Sequence, residues 1–92
     1  MNSKIDLKAM KEVYGKEIYD IILSNIVIIE KNLKYLRELK FDDYVGIFER
    51  CPIIFTYFPK DFKRKIDGLI KSLGSNYVEI IESNINLIEE LL

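Results

Sequence analysis

The side chains able to do chemistry are few, and they fall in four places. Asp42-Asp43, with Glu49 one to two helical turns on, offers adjacent carboxylates of the kind used in general acid–base catalysis. Cys51 is the single cysteine, a nucleophile wherever its thiolate is accessible. Residues 31–40 hold Lys31, Lys34, Arg37 and Lys40 against Glu38, net +3, and residues 60–71 hold Lys60, Lys63, Arg64, Lys65 and Lys71 against Asp61 and Asp67, again net +3. Basic stripes of this kind can engage phosphates. Residues 75–92 carry Glu79, Glu82, Glu89 and Glu90 with no basic side chain, net −4.

Each place also has a structural explanation. Aspartates at the start of a helix cap its free amides, and no nucleophile, base partner or glycine-rich phosphate loop accompanies this pair, so an enzyme is not expected and no catalytic residue is assigned. With no histidine and one cysteine the soft-metal ligand sets are missing. Only a carboxylate site for a hard cation is conceivable, and neither a metal nor a cofactor is expected. Cys51 stands beside Pro52 among apolar residues and reads as packing. Seven of the 11 aromatics (Phe41, Tyr44, Phe48, Phe55, Tyr57, Phe58 and Phe62) crowd into residues 41–62, where they could stack bases but at helical spacing form a core.

The basic residues are candidates for phosphate binding. At 100° per residue Lys60, Arg64 and Lys71 form one stripe opposite Phe62, Ile66, Leu69 and Leu73. If the two basic helices lie side by side, Lys34 and Arg37 join them in a nucleic-acid surface. A solvated face is the simpler reading, because acids interleave and arginine, the bidentate phosphate ligand, is scarce. The glutamates of residues 75–92 likewise suit an exposed helix.

A chain of 92 residues supports one domain, here 1–92, and 49% hydrophobic residues supply a core. A net charge of −1 implies no strong global field. The lone cysteine suits a reducing compartment, and the N-terminal residues resemble neither a signal nor a transit peptide, so a cytoplasmic protein is expected. Apolar runs such as Ile26-Val27-Ile28-Ile29 fall far short of the roughly 20 residues a membrane span needs, and no membrane partner is expected.

The elements that position these side chains read as helices throughout. Ser3-Lys4-Ile5-Asp6 fits a variant capping box opening a first helix that Gly15 ends. From Lys16 the stripe Ile18, Ile22, Ile26, Ile29, Leu33 and Leu36 continues, and Ser24-Asn25 is placed to cap a new helix, so two helices are expected rather than one. Asp42 or Asp43 caps a third through Tyr44, Ile47 and Phe48, ended by Cys51-Pro52. Ile53, Ile54 and Phe55 make one helical turn. Pro59 and Asp61 then open a helix closed by Gly74. Ser75 or Asn76 caps the last segment, which carries a second break at Ser83-Asn84.

That break is part of an internal repeat. Residues 15–30 laid on 74–89 match at Gly15/Gly74, Ile21/Ile80, Ile22/Ile81, Ser24/Ser83, Asn25/Asn84, Ile26/Ile85, Ile29/Ile88 and Glu30/Glu89. A middle copy sets Phe48 on Ile22, Cys51 on Asn25, Phe55 on Ile29 and Phe62 on Leu36. A helix, a break and a second helix, repeated every 30 residues or so, is the pattern of an α-solenoid. The expected fold is all-α, a compact array of about three degenerate repeats near 15–40, 41–73 and 74–92.

The middle copy resembles the repeat of the mitochondrial transcription termination factor (mTERF) family. In that repeat leucines lead to a leucine-glycine-phenylalanine turn, then come a short helix with paired aliphatics, a proline with aliphatics, and a second helix. Leu36, Leu39, Phe41, Ile47, Phe48, Pro52, Ile53, Ile54 and Phe55 stand in those places. Lys40 replaces the glycine, and Ile26 and Ile85 replace the proline in the outer copies. The resemblance implies an mTERF-like helical array and a nucleic-acid-binding surface on basic helix faces.

Two functional expectations follow. The leading one is a small non-catalytic module that binds another protein or a second copy of itself; no small-molecule substrate is evident. Because a terminal repeat needs a cap or a partner, Leu87, Ile88, Leu91 and Leu92 are the candidate protein interface, unless the last helix folds back over Met10 and Val13. The alternative is an mTERF-like nucleic-acid-binding module using Lys34, Arg37, Lys60, Arg64 and Lys71.

Overall fold

The computed structural model describes residues 5–92, and Ser3 and Lys4 of the expected capping box lie outside them. The described residues form helices and turns with no strand: α1 (Leu7–Ser24), α2 (Ile26–Glu38), α3 (Tyr44–Arg50), a 3-10 turn η1 (Pro52–Thr56), α4 (Pro59–Leu73), α5 (Tyr77–Ser83) and α6 (Asn86–Glu89). Asp6 is the N-cap of α1, its Oδ1 accepting from the Ala9 amide at 3.0 Å. Gly15 ends the first helical run as expected: with φ 88° and ψ 173° it leaves helical geometry where other residues would be strained, and α1 is two helices meeting at that kink.

Breaks fall where the sequence puts them, but the side chains there work differently from expectation. Ser24 Oγ donates to the Asp20 carbonyl and Asn25 Nδ2 to the Ile21 carbonyl, each at 2.8 Å. They thus close the end of α1, and no side chain caps α2. Asn25 and Ser24 are donors as well as acceptors, and the last carbonyls of a helix lack partners just as its first amides do. Asp43 stands at the N-cap of α3 without a side-chain cap; its carboxylate pairs with Arg50 at 3.5 Å. Asn76 is likewise a cap by position only.

Lys40 takes φ 75°, a left-handed residue ending α2. Its amide bonds to the Arg37 carbonyl at 3.0 Å and that of Phe41 to the Leu36 carbonyl at 3.2 Å, the paired bonds of a Schellman motif. Leu36 and Phe41, the apolar pair that accompanies this motif, are both fully buried.

The core runs through the middle of the chain. Phe48 meets Phe55 edge-on with centroids 5.3 Å apart, Phe55 meets Phe62 at 5.0 Å, and Phe41 meets Tyr77 at 5.8 Å. Ile22, Ile29, Leu36, Ile47, Ile54, Ile66, Ile81 and Ile88 complete it with no exposure. Phe58, grouped with the aromatics from its position in the sequence, lies outside that core and is exposed, because it precedes Pro59 in extended backbone.

Polar contacts fix how the helices stand together. Asn32 Nδ2 of α2 donates to the carbonyls of Phe55 and Tyr57, both at 2.9 Å, just before α4 begins. Tyr35 hydrogen-bonds Asp67 in mid-α4, and Tyr77 Oη, after α4, reaches the Leu39 carbonyl at 3.0 Å. These contacts are met in the same chain order on both sides, so α2 and α4 are neighbours that run in the same general sense. On the other side, Tyr14 Oη donates to the Glu49 carbonyl at 2.6 Å, and the Asp43 amide donates to Glu82 Oε2 at 3.1 Å, so α3 touches both α1 and α5.

Candidate interaction surface

α2 carries two faces. Ile29, Asn32, Leu33 and Leu36 are buried, and Val27, Lys31, Lys34 and Arg37 are exposed. Nine residues separate Val27 from Leu36, a rotation of about 180° from it at 100° per residue, so this valine points directly away from the core. It is 65% exposed.

Beside it lies a groove of about 340 Å³ between α2 and the start of α3. Val27, Leu33 and the half-buried ring of Tyr44 give it an apolar floor. Lys31, Lys34 and Arg37 form its basic wall, with Glu30 the one acidic lining residue. Among the described residues none of these three cations has a carboxylate within ion-pair distance, whereas Lys16, Arg50 and Arg64 do.

Of the basic residues singled out from sequence, Lys34 and Arg37 line this groove, and Lys60, Arg64 and Lys71 are exposed on α4. α2 and α4 pack against each other over a shared core, and on each helix the residues opposite its buried stripe face solvent. By helical phase these are Val27, Lys31, Lys34 and Glu38 on α2 and Lys60, Arg64 and Lys71 on α4. Arg37 is turned toward Tyr44 and away from α4. Tyr35 and Asp67 fill the seam, Lys63 lies over the Tyr35 ring at 5.4 Å, and Arg64 is held by Asp61 at 3.3 Å. Burial, then the Asp67 contact, raises the pKa of the Tyr35 phenol well above its usual value.

The C-terminal apolar residues are largely covered by the chain itself. Ile88 is fully buried, Leu87 and Leu91 pack half-buried against the core, and Leu92 alone of the four is open, at 57% exposure. The Glu89 carboxylate comes close enough to Tyr14 and Cys51 to raise both pKa values, adding to burial, the larger cause. Through Ile88, residues 86–89 reach the core shared with Met10 and Ile22 of α1 and Ile47 and Phe48 of α3. Met10 is buried, and Val13 is left 73% exposed.

Cys51 is buried, its Sγ donates to the Ile47 carbonyl at 3.1 Å, and its thiol is pushed up to about 12, first by burial. Asp42 and Asp43 are exposed, with Asp43 in its ion pair. Among the described residues no group of three histidine, cysteine, aspartate or glutamate side chains could hold a metal ion, and no helix is long and apolar enough to cross a membrane.

Two features escaped the sequence reading although their signals were present. Asn32 sits on the apolar stripe between Ile29 and Leu36, where a polar residue implies a buried partner. Val27 sits off that stripe, where an apolar residue implies an exposed patch. Both are phase arguments. Compared with family models, with curated proteins and with solved structures, the chain has no match.

Proposed function

We infer that this chain is a small non-catalytic module that binds another protein through the groove between α2 and α3. The observation that carries the reading is one groove lined by the exposed Val27, by Leu33 and by Tyr44 together with three cations that, among the described residues, have no carboxylate within ion-pair distance. Interfaces are built from an apolar centre with a polar rim, and arginine and tyrosine are among the residues enriched in them. A photo-crosslinking residue at Val27 tests this in cells, with Val13, exposed on α1, as the control position. The expected result is a discrete protein adduct from Val27 that Val13 does not give. Equal labelling from both positions, or none from Val27, refutes it.

The scaffold for this module reads as an array of degenerate helix–break–helix repeats similar to those of the mTERF family. Paired positions support it: Ile22 and Ile81 are both fully buried, as are Ile29 and Ile88, and helices end at both Ser24 and Ser83. So does Lys40, left-handed at the place where that family carries glycine. A second function is favoured by the shared outward face of α2 and α4, which brings Lys34, Lys60, Arg64 and Lys71 to one side. On this alternative the face binds duplex nucleic acid, weakly and without sequence preference. Lys34→Glu with Arg64→Glu, both on that face, would then abolish a binding that falls steeply between roughly 50 and 200 mM salt.

A further inference from the structure

The occupant of the α2–α3 groove can be specified from its chemistry, on the footing that the groove is a protein-binding site. We propose that it takes an acidic amphipathic helix of about three turns, supplied by a different protein. Val27 to Arg37 spans ten residues of α2, about 15 Å, which is the length of a ten-residue helix lying alongside. The floor asks for apolar side chains at i, i+3 or i+4, and i+7.

The wall asks for carboxylates. Lys31 and Arg37 are about 9 Å apart along the axis with Lys34 midway, and acids at i, i+3 or i+4, and i+7 of a partner helix recur over about 10 Å. Such a helix pairs all three cations while its apolar stripe covers Val27 and the Tyr44 ring. A nucleic-acid backbone would meet the cations and leave the apolar floor wet.

A second copy of this chain does not supply a continuous acidic helix. Its acidic C-terminal segment is split into α5 and α6, seven and four residues long, and their apolar faces are spent on the chain's own core through Ile81 and Ile88. Its α1, which exposes Glu12, Glu17 and Asp20, is broken at Gly15 and interleaves Lys11 and Lys16 with those acids. The occupant is therefore a continuous acidic helix from another chain.

The test is selection from a display library of random three-turn helical peptides against the full chain, followed by affinity and amide-shift measurements with the winners. Expected are winners with net negative charge and an apolar stripe, shifting the amides around Val27, Leu33 and Tyr44. Val27→Glu, or Lys34→Glu with Arg37→Glu, should each weaken them by at least about tenfold, the factor that 1.4 kcal/mol represents. All three positions are exposed, so helical content by circular dichroism should stay unchanged.

Winners that are neutral or basic, winners indifferent to these substitutions, or no enrichment at all would overturn the acidic-helix proposal. If crosslinking from Val27 still captures a discrete protein, the groove remains an interface with a different kind of partner. Should crosslinking fail as well, the interface reading falls with it.

Discussion

Asn32 lies at 1% exposure among apolar neighbours, and its two donated bonds hold the end of η1 and the approach to α4 against α2. Replacing it with leucine keeps a branched side chain of similar shape and deletes both donors. The carbonyls of Phe55 and Tyr57 then lose these partners. A net bond is worth about 0.5–1.5 kcal/mol, and a buried acceptor left unpaired costs about 1–3 kcal/mol, so the combined loss should be about 2–4 kcal/mol. A domain of this size has only about 5–14 kcal/mol in total, and the change should be plain in urea unfolding followed by circular dichroism. Asn32→Asp separates hydrogen bonding from shape. An aspartate there faces two carbonyls, so its folded pKa must rise above the unfolded value of about 3.9. The native state then binds more protons than the unfolded one, so this variant should lose stability as pH rises from 4 to 7 relative to wild type. A cost below about 1 kcal/mol for Asn32→Leu, the scale of a surface change, would refute the view that this side chain ties the two helices together.

Two more outcomes can be checked on the same instrument. Lys40→Gly should stabilise the protein by up to about 1 kcal/mol, since a left-handed residue with a Cβ costs about 1–2 kcal/mol and the added freedom of glycine in the unfolded chain takes some of that back; a loss of stability would mean that the lysine side chain earns its place by a contact. The raised Tyr35 pKa stabilises the fold below the unfolded tyrosine value and is lost as pH climbs through and above about 10. Alkaline titration of the melting temperature should therefore show a fall from that pH onward that Tyr35→Phe reduces, and an identical fall in both proteins would show that the phenol plays no part.

Much of the architecture was legible from residue spacing. The 3.6-residue period of Ile22, Ile29, Leu33 and Leu36, the glycines at 15 and 74, and the prolines at 52 and 59 are local signals, and the helix breaks follow them because backbone geometry there depends on near neighbours in sequence. The core position of Phe48, Phe55 and Phe62 was legible for the same reason. Capping partners were not. Whether Ser24 and Asn25 bond forward to amides or backward to carbonyls is decided by the angle at which α2 leaves α1, and that angle is set by packing.

Residue order alone sets that the chain is helical, where it bends, and which face of each helix is apolar. Which faces meet is settled by packing between distant segments. Whether α2 and α4 are neighbours depends on Asn32 reaching carbonyls 23 and 25 residues away, and on Tyr35 finding Asp67. Whether the C-terminal leucines are open depends on residues 86–89 returning toward α1. The groove exists because α3 starts beside α2 and sets Tyr44 in one lining with Val27 and Leu33. Contacts of this kind are long-range, and helical periodicity, which repeats every few residues, carries no information about them.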